Sequence, residues 1–195
     1  MNMVNEEDLI RLLEFGEEDR NIEYKESCPP NIEKLAKSIM AMSNIRDGGY
    51  IVFGMKQLDS GRFIKEGIKD EHLIEYNKDI LLDRINEYAD PYVRFSIKTL
   101  EYESKKFLFI IVPEFEEIPV ICKRDGRSDL TKGSIYTRTR DRRPESARVR
   151  NQTDMREIIE LAVDKGIEKM RRRRYLSEIP SGKQLFDEQV KDLND

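Results

Sequence analysis

The sequence predicts an α+β fold, in which a mixed, mostly antiparallel sheet packs against helices and a helical extension follows at the C-terminus. Segments with apolar residues at helical spacing are mixed with short apolar runs bounded by glycine, proline or aspartate. Several of these runs follow one another between residues 93 and 139 without an intervening helix, so the strict βαβ alternation of a parallel sheet is missing. At 195 residues the chain is long enough for one core and a tail.

The first quarter of the chain predicts two helices, an extended segment and a buried strand. A helix capped by Asn5 ends near a glycine. Residues 21–27 form an extended segment, which the Cys-Pro-Pro sequence at 28–30 ends. Asn31 caps the second helix, whose apolar residues repeat at helical spacing. The glycine pair at 48–49 then gives the backbone freedom for a sharp reversal into a strand over residues 50–55.

The middle of the chain predicts a hairpin, a long helix and a series of strands. A turn at residues 57–61 leads into a returning strand, and a long helix over residues 71–89 ends at Asp90 and Pro91. The β candidates that follow are residues 93–100, 106–113, 120–123 and 134–139.

The last part of the chain predicts a core helix and then a tail. Asp154, with Glu157 three residues later, forms a start that resembles a capping box. A Pro-Ser-Gly break then separates a short helix over residues 184–193. We therefore predict a domain over residues 1–166 and a helical extension over residues 167–195.

Composition limits the classes of function. The chain carries 35 basic and 39 acidic residues, so a nucleic-acid ligand would need a local basic patch. Two distant cysteines and one histidine form neither a disulfide framework nor a familiar zinc site. No apolar stretch approaches the roughly 20 residues of a membrane span, and the N-terminus is acidic. We expect a soluble, cytoplasmic protein.

An acidic cluster lies before and within the extended segment, at Glu18, Asp19, Glu23 and Glu26. Residues two apart share a face of an extended segment, so Glu23 and Lys25 project together. Converging carboxylates can hold Mg²⁺ or Mn²⁺ and stabilise charge at a phosphate. The alternative is a solvated salt-bridge network that fixes the segment.

The glycine turn invites a second interpretation, because Asn44, Gly48 and Gly49 could present backbone N–H groups to a phosphate. The glycines follow a helix rather than opening one, and no P-loop spacing is present. We therefore favour a tight helix-to-strand turn, in which Asn44 caps the helix or bridges to the Glu23 segment.

Basic residues concentrate between residues 123 and 150. Ten of them stand against Asp125, Asp129, Asp141 and Glu145. Alternation along a predicted strand places Tyr136, Arg138 and Arg140 on one face, which is a platform for stacking a base and gripping its backbone. The alternative is that Tyr136 lies in the core and the arginines pair with nearby acids. The ten basic residues are Lys123, Arg124, Arg127, Lys132, Arg138, Arg140, Arg142, Arg143, Arg148 and Arg150.

Three motifs carry a resemblance to a known family. They are Ile-Glu-Tyr-Lys-Glu-Ser at 22–27, Ala-Met-Ser-Asn at 41–44 and Gly-Gly followed by an apolar strand at 48–54. Together with Tyr136-Thr-Arg138 they resemble the Schlafen/AlbA-type domain, which handles nucleic acids and in some members cuts RNA with clustered carboxylates. Glu18 and Glu23 match the first two of those acids. The position of the third carries Lys56 and Gln57, and the nearest acid is Asp59.

The resemblance therefore predicts a protein that binds RNA or DNA, and the missing third acid argues against catalysis. The alternative is an endoribonuclease using Glu18, Glu23 and Asp59, with Glu18 and Glu23 as ligands of Mg²⁺ or Mn²⁺. The resemblance also implies a homodimer. A further alternative is a protein-interaction module whose partner binds the C-terminal helix. The predicted nucleic-acid contacts are Lys25, Lys56, Tyr136, Arg138, Arg140, Arg142 and Arg143.

Overall fold

A computed structural model describes residues 5–127, 129–141 and 143–173, and it confirms the α+β class. Within these residues no helix is both long and apolar enough to cross a membrane. The elements in chain order are α1 (Glu6–Phe15), β1 (Ile22–Lys25), α2 (Ile32–Ser43), β2 (Gly49–Phe53), β3 (Met55–Gln57), β4 (Phe63–Lys65), α3 (Asp70–Leu73), α4 (Lys78–Asn86), β5 (Ala89–Asp90), β6 (Ser96–Tyr102), β7 (Lys105–Val112), β8 (Ile121–Cys122), β9 (Tyr136–Arg138), β10 (Ser146–Arg148) and α5 (Gln152–Arg172).

A four-stranded sheet in the order β1-β2-β7-β6 forms the centre of the fold. β1 runs parallel to β2, and the other two pairings are antiparallel. Successive residues of β2 point to opposite faces, so Phe53 joins one apolar cluster and Val52 joins the other. Both faces of the two central strands are therefore covered, which explains why the sequence of β7 is a continuous apolar run.

Asn44 ends α2 and connects it to the second half of the chain. Its buried amide donates to the carbonyl oxygens of Val120 at 2.8 Å and Tyr136 at 2.9 Å, and its Oδ1 accepts from the N–H of Val120 at 2.8 Å. The residue occupies the helix C-cap, as one of the two expectations had it, and its side chain does not bridge to Glu23. All three bonds are made away from water, where an unsatisfied amide would be costly.

The predicted helix over residues 71–89 is wrong in two respects: it is divided into α3 and α4, and it ends at Asn86, so that Ala89 belongs to β5. Between the two helices, Tyr76 turns inward and donates its hydroxyl to the carbonyl of Cys28 at 2.9 Å. Asn77 then caps α4 by accepting from the N–H groups of Asp79 and Ile80. Local capping therefore outweighs the helical periodicity of the segment.

Smaller differences occur in the second half. Asn151, not Asp154, caps α5, and its Oδ1 accepts from the N–H of Asp154 at 2.8 Å. The strand predicted over residues 134–139 is limited to β9, and β5 and β10 carried no clear strand pattern. The helix α5 continues through residue 166, so the predicted division at 166/167 falls inside a helix and stays a prediction. The predicted helix over residues 184–193 lies outside the described residues.

Gly48 is the described glycine at which an added Cβ would lie closest to another atom. Its φ is +70°, and a Cβ built at this position would lie 2.0 Å from the carbonyl oxygen of Val112. The neighbouring N–H of Asp47 donates to a carboxylate oxygen of Glu114 at 2.7 Å. The turn is thus packed against the chain around Val112, and the tight-turn interpretation accounts for both glycines.

We expect Gly48→Ala to destabilise the fold by about 3 kcal/mol or more, because the new methyl group overlaps backbone atoms that cannot move independently. Gly133→Ala is the matched control. Its φ is +78°, but no atom lies within 4 Å of the added Cβ, so only the left-handed backbone costs about 1 kcal/mol. Chemical denaturation of both variants measures the difference. Equal losses would contradict the steric explanation.

Candidate functional site

A buried ion pair between Glu23 and Arg138 lies at the centre of the candidate site. Nη1 of Arg138 approaches Oε2 of Glu23 at 3.3 Å, and the arginine side chain is 2% exposed. Its Nε donates to the carbonyl of Arg20 at 3.2 Å and its Nη2 to the carbonyl of Ile22 at 3.4 Å. Arg20 reciprocates by donating Nε to the carbonyl of Arg138 at 3.1 Å. These bonds attach β9 to the residues around β1.

The other carboxylate oxygen of Glu23 is also occupied. Oε1 lies 2.5 Å from Nζ of Lys25 and accepts from the hydroxyl of Ser38 at 3.2 Å. Burial alone raises the pKa of Glu23, but the charges of Lys25 and Arg138 and the hydrogen bonds to Glu23 outweigh burial and lower it. The group is therefore held as a carboxylate whose lone pairs are used within the protein.

Glu18 lines the same cavity of about 910 Å³ but has the opposite electrostatic environment. Burial is the largest influence and raises its pKa, and the nearby charge of Glu23 adds to this. The N–H of Tyr24, which donates to Oε1 of Glu18 at 3.0 Å, and the charges of Arg138 and Lys25 only reduce the effect. Two carboxylates of one cavity thus differ in their tendency to hold a proton.

These carboxylates do not fit a divalent cation. Both oxygens of Glu23 contact positively charged groups, which would repel a metal ion. Asp59 is exposed in the turn between β3 and β4, and it lines neither of the two cavities that Glu18 lines. Within the described ranges, no three or more His, Cys, Asp or Glu side chains form a group that could hold a metal. Among the described residues, Glu18, Glu23 and Asp59 are therefore not brought together as one set of metal ligands.

The expected stacking platform on β9 is wrong, because Tyr136 and Arg138 are both buried. β10 pairs with one edge of the strand and α2 packs against it, and all three residues of the strand are buried, so alternation does not leave one face in solvent. Arg140 is paired with Glu157, as the alternative interpretation had it for the arginines. The strand carries part of the core rather than a ligand surface.

The remaining predicted contacts are dispersed. Lys25 is engaged by Glu23, and Lys56 lies 3.3 Å from a carboxylate oxygen of Glu66. Arg143 is exposed and lines the cavity beside Glu18 and the β3–β4 turn. Arg142 lies outside the described residues. Of the described side chains, Lys25, Lys56 and Arg143 do not form one surface with Arg140.

A different group of cations surrounds Asp129. Nζ of Lys37 contacts its carboxylate at 2.9 Å, and Arg148 and Arg150 are near enough to help Lys37 lower the pKa of Asp129. Further cations line the same cavity as Lys37 and Asp129. We call this group the basic surface; its members are Lys34, Lys37, Arg127, Arg148 and Arg150.

Buried Tyr136 supports the loop that carries part of this surface. Its hydroxyl donates to the carbonyl of Asp129 and accepts from the N–H of Thr131, both at 2.8 Å. The hydroxyl of Thr131 in turn accepts from Nη2 of Arg148 at 3.2 Å. Lys37 lies 5.8 Å from the centre of the Tyr136 ring. Tyr136 is therefore a positioning residue for the loop.

Sequence reasoning missed Lys34 and Lys37 as site residues. Their spacing of three residues on α2 indicates one helix face, which is the only local signal they carry. Arg127, Arg148 and Arg150 were visible as part of the basic stretch. Nothing in the local sequence indicates that α2 and this stretch meet at Asp129.

The chain is similar in sequence to a protein family and to a protein of another organism. The family model described as Schlafen, AlbA_2 matches residues 18–147. An uncharacterized ATP-binding protein of Ureaplasma parvum serovar 3 is 32% identical over 140 residues; the match covers 64% of this chain and only 38% of that protein.

Two solved structures are also similar. One is the N-terminal domain of a protein of Nitrosomonas europaea named as related to the ATP-dependent DNA helicase RecG; it has a TM-score of 0.50 and 21% identity, covering 67% of this chain and 88% of that one. The other, the DIP2311 protein of Corynebacterium diphtheriae, has a TM-score of 0.44 and 20% identity, covering 72% of this chain and 25% of that one. The similarity to the Nitrosomonas europaea domain supports the fold alone.

We expect Glu23→Gln to destabilise the protein by about 3 kcal/mol, because it leaves the buried charge of Arg138 without its partner. Glu66→Gln is the matched control, since it removes the exposed partner of Lys56 and should cost less than about 1 kcal/mol. Urea denaturation gives both values. A loss at Glu23 no larger than at Glu66 would show that the pair contributes little.

The effect of Glu23→Gln should also depend on pH. Because folding lowers the pKa of Glu23 below its ordinary value of 4.5, its contribution is fully present above that value and is lost as pH falls through the lowered pKa. The difference in unfolding free energy between wild type and Glu23→Gln should therefore shrink as the pH falls below about 4.5. Glu18, whose pKa shifts upward, is present in both proteins. A difference that stays constant over this range would contradict the assignment.

Proposed function

Because the chain belongs to the Schlafen, AlbA_2 family, we propose that it binds the phosphate backbone of RNA or DNA through the basic surface. The observation that carries the proposal is the grouping of Lys37, Arg148 and Arg150 near Asp129, with Lys34 and Arg127 lining the same cavity as Asp129. Phosphate contacts by lysine and arginine supply most of the affinity in sequence-independent nucleic-acid binding.

The charge balance of the cavity supports this proposal. Glu18, Glu23 and Glu145 also line the cavity, together with Lys25 and Arg138. The cavity lining itself thus carries five cations and four carboxylates, and Arg148 and Arg150 beside Asp129 bring the cations to seven. Glu23 is internally neutralised by Lys25 and Arg138, so the excess positive charge belongs to the basic surface.

Two members of the surface are available to a ligand. Lys34 and Arg127 are exposed, and neither side chain has an ion-pair partner among the described residues. Arginine can contact a phosphate through two parallel N–H groups, and lysine adds a compact point charge. Charges held in internal pairs, such as that of Arg140, would first have to leave their carboxylates.

The proposed binding is independent of base sequence. Tyr136 is buried, so the aromatic stacking expected from the sequence has no support at this surface. Lysine and arginine contacts to phosphates fix orientation but carry no sequence information. We therefore propose similar affinity for oligonucleotides of equal length and different sequence.

The names of the similar proteins suggest two ligands, nucleic acid and ATP. The RecG-related name agrees with a role in nucleic-acid metabolism. The ATP-binding name would need a phosphate site, and we do not propose one at Gly48, where the adjacent N–H of Asp47 is already bound to Glu114. The cytoplasmic location, the homodimer and a protein partner of the C-terminal helix remain predictions.

The endoribonuclease alternative retains one supporting observation. Glu18 and Glu23 line one cavity, and their pKa values shift in opposite directions, an arrangement that can supply an acid and a base. The internal partners of Glu23 argue against its use as a metal ligand. Binding without cleavage is therefore the function that the site supports best.

We expect the double substitution Lys34→Glu and Arg127→Glu to weaken binding of a labelled RNA or DNA oligonucleotide by about tenfold or more. Two lost phosphate contacts should also reduce the slope of log affinity against log salt by about 1.5. Arg94→Glu is the control, because Arg94 is equally exposed but lines a different cavity with Glu116. Fluorescence anisotropy at several salt concentrations gives both quantities. Equal effects of the two variants would refute the basic surface as the binding site.

The same oligonucleotides test for cleavage. We expect RNA incubated with the protein and Mn²⁺ to remain intact on a denaturing gel. Cleavage that requires Mn²⁺ and disappears in Glu18→Gln would establish the endoribonuclease instead. Glu18→Gln is the informative variant because Glu18, unlike Glu23, has no ion pair in the described structure whose loss would unfold the protein.

A further inference from the structure

The helix α5 carries an apolar stripe that faces solvent. Its members are exposed by 53%, 53%, 37% and 51%, and they recur at intervals of three and four residues, which places them on one face of the helix. The opposite face packs into the core through Ile158 and Leu161. We call this row the apolar stripe; its members are Ile159, Val163, Ile167 and Met170. Four large apolar side chains in register on one exposed helix face indicate an interaction surface.

Several charges of α5 are paired within the protein: Asp164 contacts Arg46, Lys165 contacts Glu114 and Lys169 contacts Glu117. Glu160 and Arg171, which lie along one flank of the stripe, are exposed and have no ion-pair partner among the described residues. One is acidic, near the start of the stripe, and the other is basic, at its end.

We propose that the apolar stripe packs against the same stripe of a second copy of the chain, with the two α5 helices antiparallel. A two-fold axis halfway along the stripe, between Val163 and Gly166, brings Ile159 opposite Met170 of the second copy. Residues on the same flank then face each other. Gly166, which has no side chain, lies beside the axis and permits close approach of the helices.

The charges select this arrangement. Glu160 precedes the midpoint by about 7 Å along the helix and Arg171 follows it by about 10 Å, given a rise of about 1.5 Å per residue. In the antiparallel pair, Glu160 therefore comes within about 3 Å, along the axis, of the level of Arg171 of the second copy, and the symmetry creates the contact twice. In a parallel pair, Glu160 and Arg171 of the two copies would stay about 17 Å apart along the axis, so the opposite charges would not meet.

The size of the surface sets the strength of association. The apolar stripe is about 17 Å long, so the buried area falls at the low end of specific interfaces. We therefore expect a reversible dimer with a dissociation constant in the micromolar range. The inference concerns α5 alone and does not depend on nucleic-acid binding.

The first experiment measures the mass of the full chain by sedimentation between about 1 and about 200 μM. We expect the mass to rise from monomer towards dimer, and Val163→Glu to remain monomeric throughout because it buries a charge at the two-fold axis. Ile74→Glu is the matched control, since Ile74 is 80% exposed but lies outside the stripe. A monomer at all concentrations, or equal effects of the two variants, would overturn the proposal.

The second experiment tests orientation by exchanging charges. Glu160→Arg and Arg171→Glu should each weaken the dimer by about tenfold, and the double variant should recover wild-type affinity because the two opposite charges still meet. The same exchange at Glu168 and Arg172, which pair within one helix, is the control and should leave dimerisation unchanged. Circular dichroism checks that each variant is folded. Failure of the double variant to recover affinity would refute the antiparallel contact.

Discussion

The ion pair between Glu23 and Arg138 is the constraint on which the rest of the site depends. It joins β1, which belongs to the central sheet, to β9, which lies outside that sheet on α2. Burying two charges is costly, and here the cost is offset by further bonds: Glu23 also accepts from Ser38, and Arg138 donates to two backbone carbonyls. The pair therefore fixes the relative position of two elements that share no strand pairing.

Because of this ion pair, the motifs that carry the family resemblance have a structural role in this chain. Glu23 belongs to the first motif and Arg138 to the last, and in this chain the two residues contact each other. Asn44, from the second motif, donates its amide N–H groups to the carbonyl oxygens of Val120 and Tyr136. The motif residues thus assemble the fold, and the charges that remain for a ligand lie beside them, on α2 and on the loop around Asp129.

Tyr136 connects the buried core with the loop around Asp129. Its backbone carbonyl accepts from Asn44 in the core, while its hydroxyl holds Asp129 and Thr131 at the surface. A single buried aromatic residue therefore connects the end of α2 with the loop that shapes the basic surface. The apolar stripe of α5 belongs to another element, and its unpaired charges are separate from those around Asp129. Dimerisation through α5 and nucleic-acid binding at the basic surface can therefore be changed independently of each other.

The sequence by itself determined the α+β class, the capping residues of α1 and α2, the buried strands and the tight turn at Gly48, because these follow from local spacing, side-chain chemistry and backbone freedom. It also indicated that arginines concentrate late in the chain. Only the tertiary structure decided which cations are free. Alternation on β9 predicted an exposed Arg138, but every residue of that strand is buried, and the partner of Arg138, Glu23, lies 115 residues away in sequence. Whether a charge faces solvent or a buried partner depends on such distant contacts, and no local pattern encodes them.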